Sequence, residues 1–211
     1  MKLFLSGGGG AEDSIKLDKK FAKAIGNSKP LLYIPIAIDP VRHPFPDCYK
    51  WICSTFNPLG IDKIEMWLQK DLRERSGEEL RRFSGVYIGG GNTFYLLKEL
   101  RESGFISKLQ KLIKNNVPVY GGSAGAIICF KTIIPALAAD PNDVGLTDFN
   151  ALNLVYDYDL WCHYVPTMDV QIAEYKNKYK LEKIVTLPEN AGLCVTESGI
   201  EEVGPGKVKY L

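Results

Sequence analysis

Histidine is the scarcest functional residue in this 211-residue chain: there are two, His43 and His163. A zinc site built from three imidazoles is therefore excluded within one chain. Any mechanism that uses an imidazole base has two candidates. Five cysteines, Cys48, Cys53, Cys129, Cys162 and Cys194, are scattered with no Cys-x-x-Cys pair. The odd number and loose spacing argue against a disulfide framework and a structural zinc, leaving buried, reduced thiols. No metal or organic cofactor is expected. No apolar run reaches the ~20 residues that a membrane span needs. The opening Met-Lys-Leu-Phe-Leu-Ser is cut short by four glycines, too early for a signal peptide, so the expected location is cytoplasmic. Excess charge is also lacking. Lys plus Arg is 26 against 25 Asp plus Glu, a formal net charge of +1. That balance gives no support for nucleic acid or an anionic membrane as a partner.

What is present is an ordinary globular composition, 45% hydrophobic and 24% charged, in a length that fits one domain over residues 1–211. Short apolar runs alternate with amphipathic stretches. Leu3–Ser6, Leu31–Ile36, Ile61–Trp67, Gly85–Ile88 and Val117–Tyr120 read as strands. Ile15–Ile25, Tyr49–Phe56, Phe94–Leu100 and Ile106–Ile113 carry helical periodicity. Strand, glycine-rich loop and helix in repeated succession predict βαβ units. The fold class is therefore α/β, a doubly wound and mostly parallel sheet with helices on both faces. Runs such as Leu-Leu-Tyr-Ile are apolar throughout, as strands buried on both faces require. From Ile184 onward short β-like runs separated by turns predict small antiparallel strands closing the sheet. Lys131–Asp159 reads mostly as loop.

The sharpest chemical signal is Gly121-Gly122-Ser123-Ala124-Gly125-Ala126, where an apolar strand runs into Gly-x-Ser-x-Gly and an apolar helix follows. That context predicts a nucleophile elbow. Only small residues fit beside a tight strand-to-helix turn that lifts a hydroxyl to the carboxyl edge of the sheet. The first N–H groups of the following helix then face the reacting centre, so Ala124 is a candidate oxyanion donor. A second loop, Gly89-Gly90-Gly91-Asn92-Thr93-Phe94, again joins strand to helix at the same edge. Gly90 or Gly91 is the candidate second donor, and Asn92 and Thr93 are placed to contact substrate. Neither the Walker pattern nor Gly-x-Gly-x-x-Gly is present. A serine nucleophile needs a base. His163, at the end of the apolar run Leu160–Val165, is preferred to His43, which lies between Pro40 and Pro44. Asp140, Asp143 and Glu189 are candidates for the carboxylate that fixes the imidazole tautomer, and spacing alone does not choose among them.

These motifs in this order, with Phe149-Asn150-Ala151-Leu152-Asn153-Leu154 leading to His163, resemble the peptidase E (α-aspartyl dipeptidase) and cyanophycinase family of serine peptidases. The likeness runs from the first strand to Leu187-Pro188-Glu189. It implies a class I glutamine amidotransferase-like fold, a small peptide as substrate, Ser123 as nucleophile and His163 as base. It implies Asp140 as the acid by position, with Glu189 or Asp143 as alternatives. The resemblance also implies an arginine after the catalytic histidine that holds a substrate aspartate. Tyr164–Tyr175 contains none, and the last arginine of the chain is Arg101. Lys176 or Lys178 could serve in principle, but a lysine is not equivalent to a bidentate guanidinium. Strict Asp-X specificity is therefore not expected. The rival readings are a serine esterase or acyltransferase on the same apparatus, and a catalytically silent domain that binds a ligand or partner.

Overall fold

The computed structural model describes residues 1–211. Its elements in chain order are β1 (Lys2–Ser6), α1 (Ala11–Ile25), β2 (Leu31–Ile34), α2 (Phe45–Phe56), β3 (Ile64–Met66), α3 (Gln69–Glu74), β4 (Gly85–Ile88), α4 (Thr93–Glu102), α5 (Phe105–Lys114) and β5 (Val119–Gly122). Then come α6 (Ala124–Ile127), β6 (Asp159–Cys162), α7 (Asp169–Tyr179), β7 (Ile184–Leu187), β8 (Gly192–Thr196), β9 (Gly199–Val203) and β10 (Lys209–Tyr210).

Seven strands form one sheet in the order β3-β2-β4-β5-β1-β8-β9. The first five are mutually parallel, and β8 and β9 are antiparallel. Alternate side chains of the central strands enter different cores. Leu3, Leu5, Val86, Ile88 and Val119 join the larger one, shared with α4, α5 and α6. Phe4, Tyr33, Tyr87 and Tyr120 join the other, beneath Phe21 of α1 and Phe56 of α2. Both faces are covered, which explains the continuous apolar strands. Each wholly buried Phe contributes roughly 1.5–3 kcal/mol. No helix is long and apolar enough to cross a membrane.

Three differences from the sequence reading matter. First, the C-terminal strands do more than close one edge. β7 pairs parallel with β6 and antiparallel with β10 in a separate three-stranded sheet. Second, α3 and α7 are additional helices; each fully buries a single residue, Leu72 or Ile172, and α7 packs through the half-buried Tyr175 and Tyr179, with Met168 just before it. Third, the elbow helix α6 is one turn of four residues. Its peptide dipoles barely accumulate, so local N–H groups rather than a macrodipole face the reacting centre. Lys131–Asp159 is mostly loop, as expected, with one 3-10 stretch at Ile134–Ala138 and an isolated Thr132–Asn150 bridge.

Candidate active site

The loops that carry the predicted motifs leave the carboxyl ends of β1, β4, β5, β6 and β7, where parallel α/β sheets bind ligands. Ser123 follows β5, whose Gly122 lies opposite Ser6 of β1. The serine backbone has φ +48° and ψ −109°, in a region that non-glycine residues rarely occupy. Its N–H donates to the Ser6 carbonyl at 3.2 Å. Packing behind the turn permits no side chain at Gly125, where a Cβ would lie 2.2 Å from the Ile88 carbonyl oxygen. Backbone strain held by close packing is the physical content of the elbow.

His163 directly follows β6 and also has positive φ, +52°. Its N–H donates to the Gly7 carbonyl at 3.1 Å. Its Nε2 lies 2.8 Å from Ser123 Oγ, and its Nδ1 lies 2.8 Å from Glu189 Oε1. Glu189 comes two residues after β7. The parallel register that sets Cys162 opposite Leu187 brings the two positions to one end of the small sheet. The imidazole and carboxylate are both partly open to solvent, at 43% and 58% side-chain exposure, so the pair is wetted rather than sealed.

The carboxylate beside the imidazole is thus that of Glu189, and Asp140 is engaged elsewhere. Asp140 Oδ2 accepts the Thr93 N–H at 2.8 Å at the start of α4. The residue lies on the loop after the 3-10 stretch, which packs against that helix terminus instead of reaching His163. Asp143 lines the same cleft, exposed and without a partner. His43 also lines the cleft, on the loop after β2, and makes no contact with Ser123.

The glycine loop after β4 lies beside the serine. Gly90 faces Ser123 so closely that a Cβ there would be 3.1 Å from the serine Cβ. Gly91, with φ +130°, packs instead against the Ala37 carbonyl. The N–H groups of both glycines have no acceptor within the protein. Ala124 opens α6, where no intrahelical acceptor exists. Asn92 is committed to structure: Oδ1 accepts from Tyr95 N–H at 2.8 Å, capping α4, and Nδ2 donates to the Pro141 carbonyl at 2.7 Å. Thr93 is wholly buried and its Oγ1 has no partner.

Two features escaped the sequence reading. One is the Gly7–Gly10 loop after β1, legible there only as a turn. Gly8 has φ +105°, and a Cβ would lie 2.3 Å from His163 Cε1 and 3.0 Å from Ser123 Cβ. The glycine run itself was the available signal. The other is the aromatic wall of the cleft, Tyr33, Tyr87 and Trp51, packed with centroid separations of 5.6–6.4 Å. The cleft encloses about 1050 Å³ and also receives Arg42, Trp161, Met168 and Gln171. Arg42 is 82% exposed and pairs with Asp39 at 3.6 Å. Lys176 and Lys178 do not line it. Among the thiols, burial pushes Cys129 up to about 12 and Cys162 higher still, so neither supplies a thiolate at neutral pH.

A serine, an imidazole and a carboxylate in line, on loops at the carboxyl edge of a parallel α/β sheet, define the class: a serine-type hydrolase. Residues 3–203 match the pattern of peptidase family S51. The chain belongs to that family and is a serine-type peptidase. An uncharacterized peptidase of Listeria innocua serovar 6a is 30% identical over 156 residues, covering 71% of this chain and 73% of the relative. A peptidase E of Nostoc sp. PCC 7120 is 29% identical over 200 residues, covering 89% and 77%. In fold, the chain is similar to a crystal structure of a peptidase E protein from Listeria monocytogenes EGD-e. The TM-score is 0.77 at 24% identity, covering 97% and 98% of the two chains.

Proposed function

We propose that residues 1–211 act as one peptidase domain that cleaves small peptides through Ser123, His163 and Glu189. The observation that carries this reading is the pair of 2.8 Å contacts on opposite nitrogens of one imidazole. Glu189 accepts a hydrogen bond from Nδ1–H and so fixes the tautomer that leaves Nε2 free to act as a base. Ser123 Oγ attacks the scissile carbonyl as its proton passes to Nε2. The carbonyl oxygen becomes an oxyanion, held by N–H groups of Ala124 and the Gly90–Gly91 loop. His163 then protonates the leaving amine. The acyl-enzyme is opened by water that His163 deprotonates.

The cleft has room for a short peptide and presents an aromatic wall beside the nucleophile. The segment after His163 forms a turn and α7 and contains no arginine, and Arg42 on the opposite loop is already paired. A substrate carboxylate therefore lacks a dedicated guanidinium, and strict Asp-X specificity is not part of the proposal. The test is labelling with a fluorophosphonate probe, followed by a dipeptide and ester panel. Labelling of wild type that disappears in Ser123→Ala and His163→Ala is expected, with peptides cleaved in preference to esters. Failure of the folded wild type to label sinks the reading, and ester-only turnover replaces it with the esterase.

A further inference from the structure

Beneath the site lies a carboxylate that the chemistry above does not use. Asp18, in the middle of α1, is 1% exposed and forms no ion pair with any Lys, Arg or His. It does not line the cleft. Its Oδ1 accepts from the Tyr120 hydroxyl of β5 at 2.8 Å, and its Oδ2 accepts from the Ser14 hydroxyl of its own helix at 2.8 Å. Tyr120 is wholly buried, stacked on Tyr87 of β4 with ring centroids 4.4 Å apart. The Tyr87 phenol is the other titratable group that senses the Asp18 charge.

The Ser14 arm continues by hydrogen bonds to the Gly7–Gly10 loop, and the Tyr120 arm fixes the carboxylate from β5. Ser6, at the end of β1 beside β5, holds the loop through its Oγ, which accepts the Gly8 N–H at 3.3 Å. Ser14 N–H donates to the Gly10 carbonyl at 3.1 Å, and its hydroxyl lies between that carbonyl, at 3.1 Å, and Asp18 Oδ2, at 2.8 Å. The loop so gripped touches both partners of the serine. The Gly7 carbonyl accepts the His163 N–H, Gly8 abuts the imidazole edge, and Gly9 packs against the Glu189 carbonyl.

A carboxylate only accepts hydrogen bonds, so an ionised Asp18 orients the Tyr120 and Ser14 hydroxyls toward itself. We propose that Asp18, held by Tyr120, is a positioning residue for the candidate active site, acting through Ser14 and Gly10 on the loop that backs His163. The proposal rests on the Ser123–His163–Glu189 reading.

The placement has a stability cost. Burial raises the Asp18 pKa from 3.8 to about 6, against the opposing effect of the Tyr120 and Ser14 hydrogen bonds. Between these values the unfolded chain has lost the proton and the folded chain keeps it. Stability therefore falls as pH rises through that window, and above it the loss is complete. A group whose only task was to staple α1 to β5 would serve better as a neutral amide.

The test compares Asp18→Asn and Tyr120→Phe with wild type at pH 8, using three readouts. These are melting temperature, the rate of fluorophosphonate labelling, and the His163 Cε1–H resonance, which is readily assigned in a chain with two histidines. Asp18→Asn is expected to melt a few degrees higher yet to label about tenfold more slowly. Both variants are expected to displace the His163 resonance and leave that of His43 in place. The double variant is expected to label no more slowly than the worse single one, because both act through one chain of contacts. Labelling within twofold of wild type together with an unmoved His163 resonance, in folded Asp18→Asn, overturns the proposal. An unlabelled wild type whose His163 resonance still responds to Asp18→Asn overturns the hydrolase reading and keeps the positioning role.

Discussion

The two sheets divide the site between them. The large sheet supplies the proposed nucleophile and the candidate oxyanion donors, on loops after β5 and β4. The small sheet supplies the imidazole and its carboxylate, on segments after β6 and β7. The first set is fixed by close backbone packing at a strained turn, with Gly125 against Ile88 and the Ser123 N–H on the Ser6 carbonyl. The second is fixed by strand pairing between segments more than twenty residues apart. The halves meet at the β1 loop, where Gly7 accepts from His163 and Ser6 accepts from Ser123. Alignment of the proposed triad is thus a property of the seam, and the residues that hold the seam are largely glycine backbone.

That division can be broken in graded steps. Ser123→Ala is expected to remove the nucleophile and reduce kcat by roughly 10⁴-fold or more with an unchanged melting temperature. A retained rate would place the chemistry elsewhere. Gly8→Ala strikes the seam itself: the added methyl meets the imidazole and the backbone is held at φ +105°. A loss of roughly 100-fold or more in kcat is expected, together with a lowered melting temperature. Wild-type kinetics in that variant would show that the loop has slack. Glu189→Gln and Asp140→Asn form the sharpest pair. The first is expected to lower kcat by roughly 10²-fold, because the imidazole loses its tautomer partner. The second is expected to change kcat by about threefold or less, since Asp140 caps Thr93 and does not reach His163. The reverse order would return the acid to the loop after the 3-10 stretch. The smallest effect concerns stability alone. The urea midpoint of wild type is expected to carry a component that declines as pH rises from about 4 to about 6, and Asp18→Asn is expected to flatten it. Superimposable profiles would mean that Asp18 does not titrate in that range.

Much of this was legible along the chain. Gly85–Ile88 is a strand at the predicted bounds, and the helical periodicity over Phe94–Leu100 and Ile106–Ile113 lies within α4 and α5. Those elements bury a full face, so their periodicity is strong. The helix α7 fully buries only Ile172, and the rest of its packed face, Tyr175 and Tyr179 with the preceding Met168, is half-buried and partly polar, so its periodicity is weak. Asn92 and Thr93 looked available for substrate because their residue types suit binding. In the fold the Asn92 amide is occupied at both ends, and Thr93 gives its N–H to Asp140.

The sequence by itself determined the elbow at Ser123 and narrowed the imidazole to two positions, because small residues at a turn and the rarity of histidine are local facts. It set out three carboxylates and had no means to rank them by distance. Only the tertiary structure decided that Glu189 lies against His163, that Asp140 serves a helix terminus, and that a buried Asp18 stands behind the β1 loop. Each of these depends on which strands pair and in what register. Register is settled by the cooperative burial of two sheets and is written in no single segment of the chain.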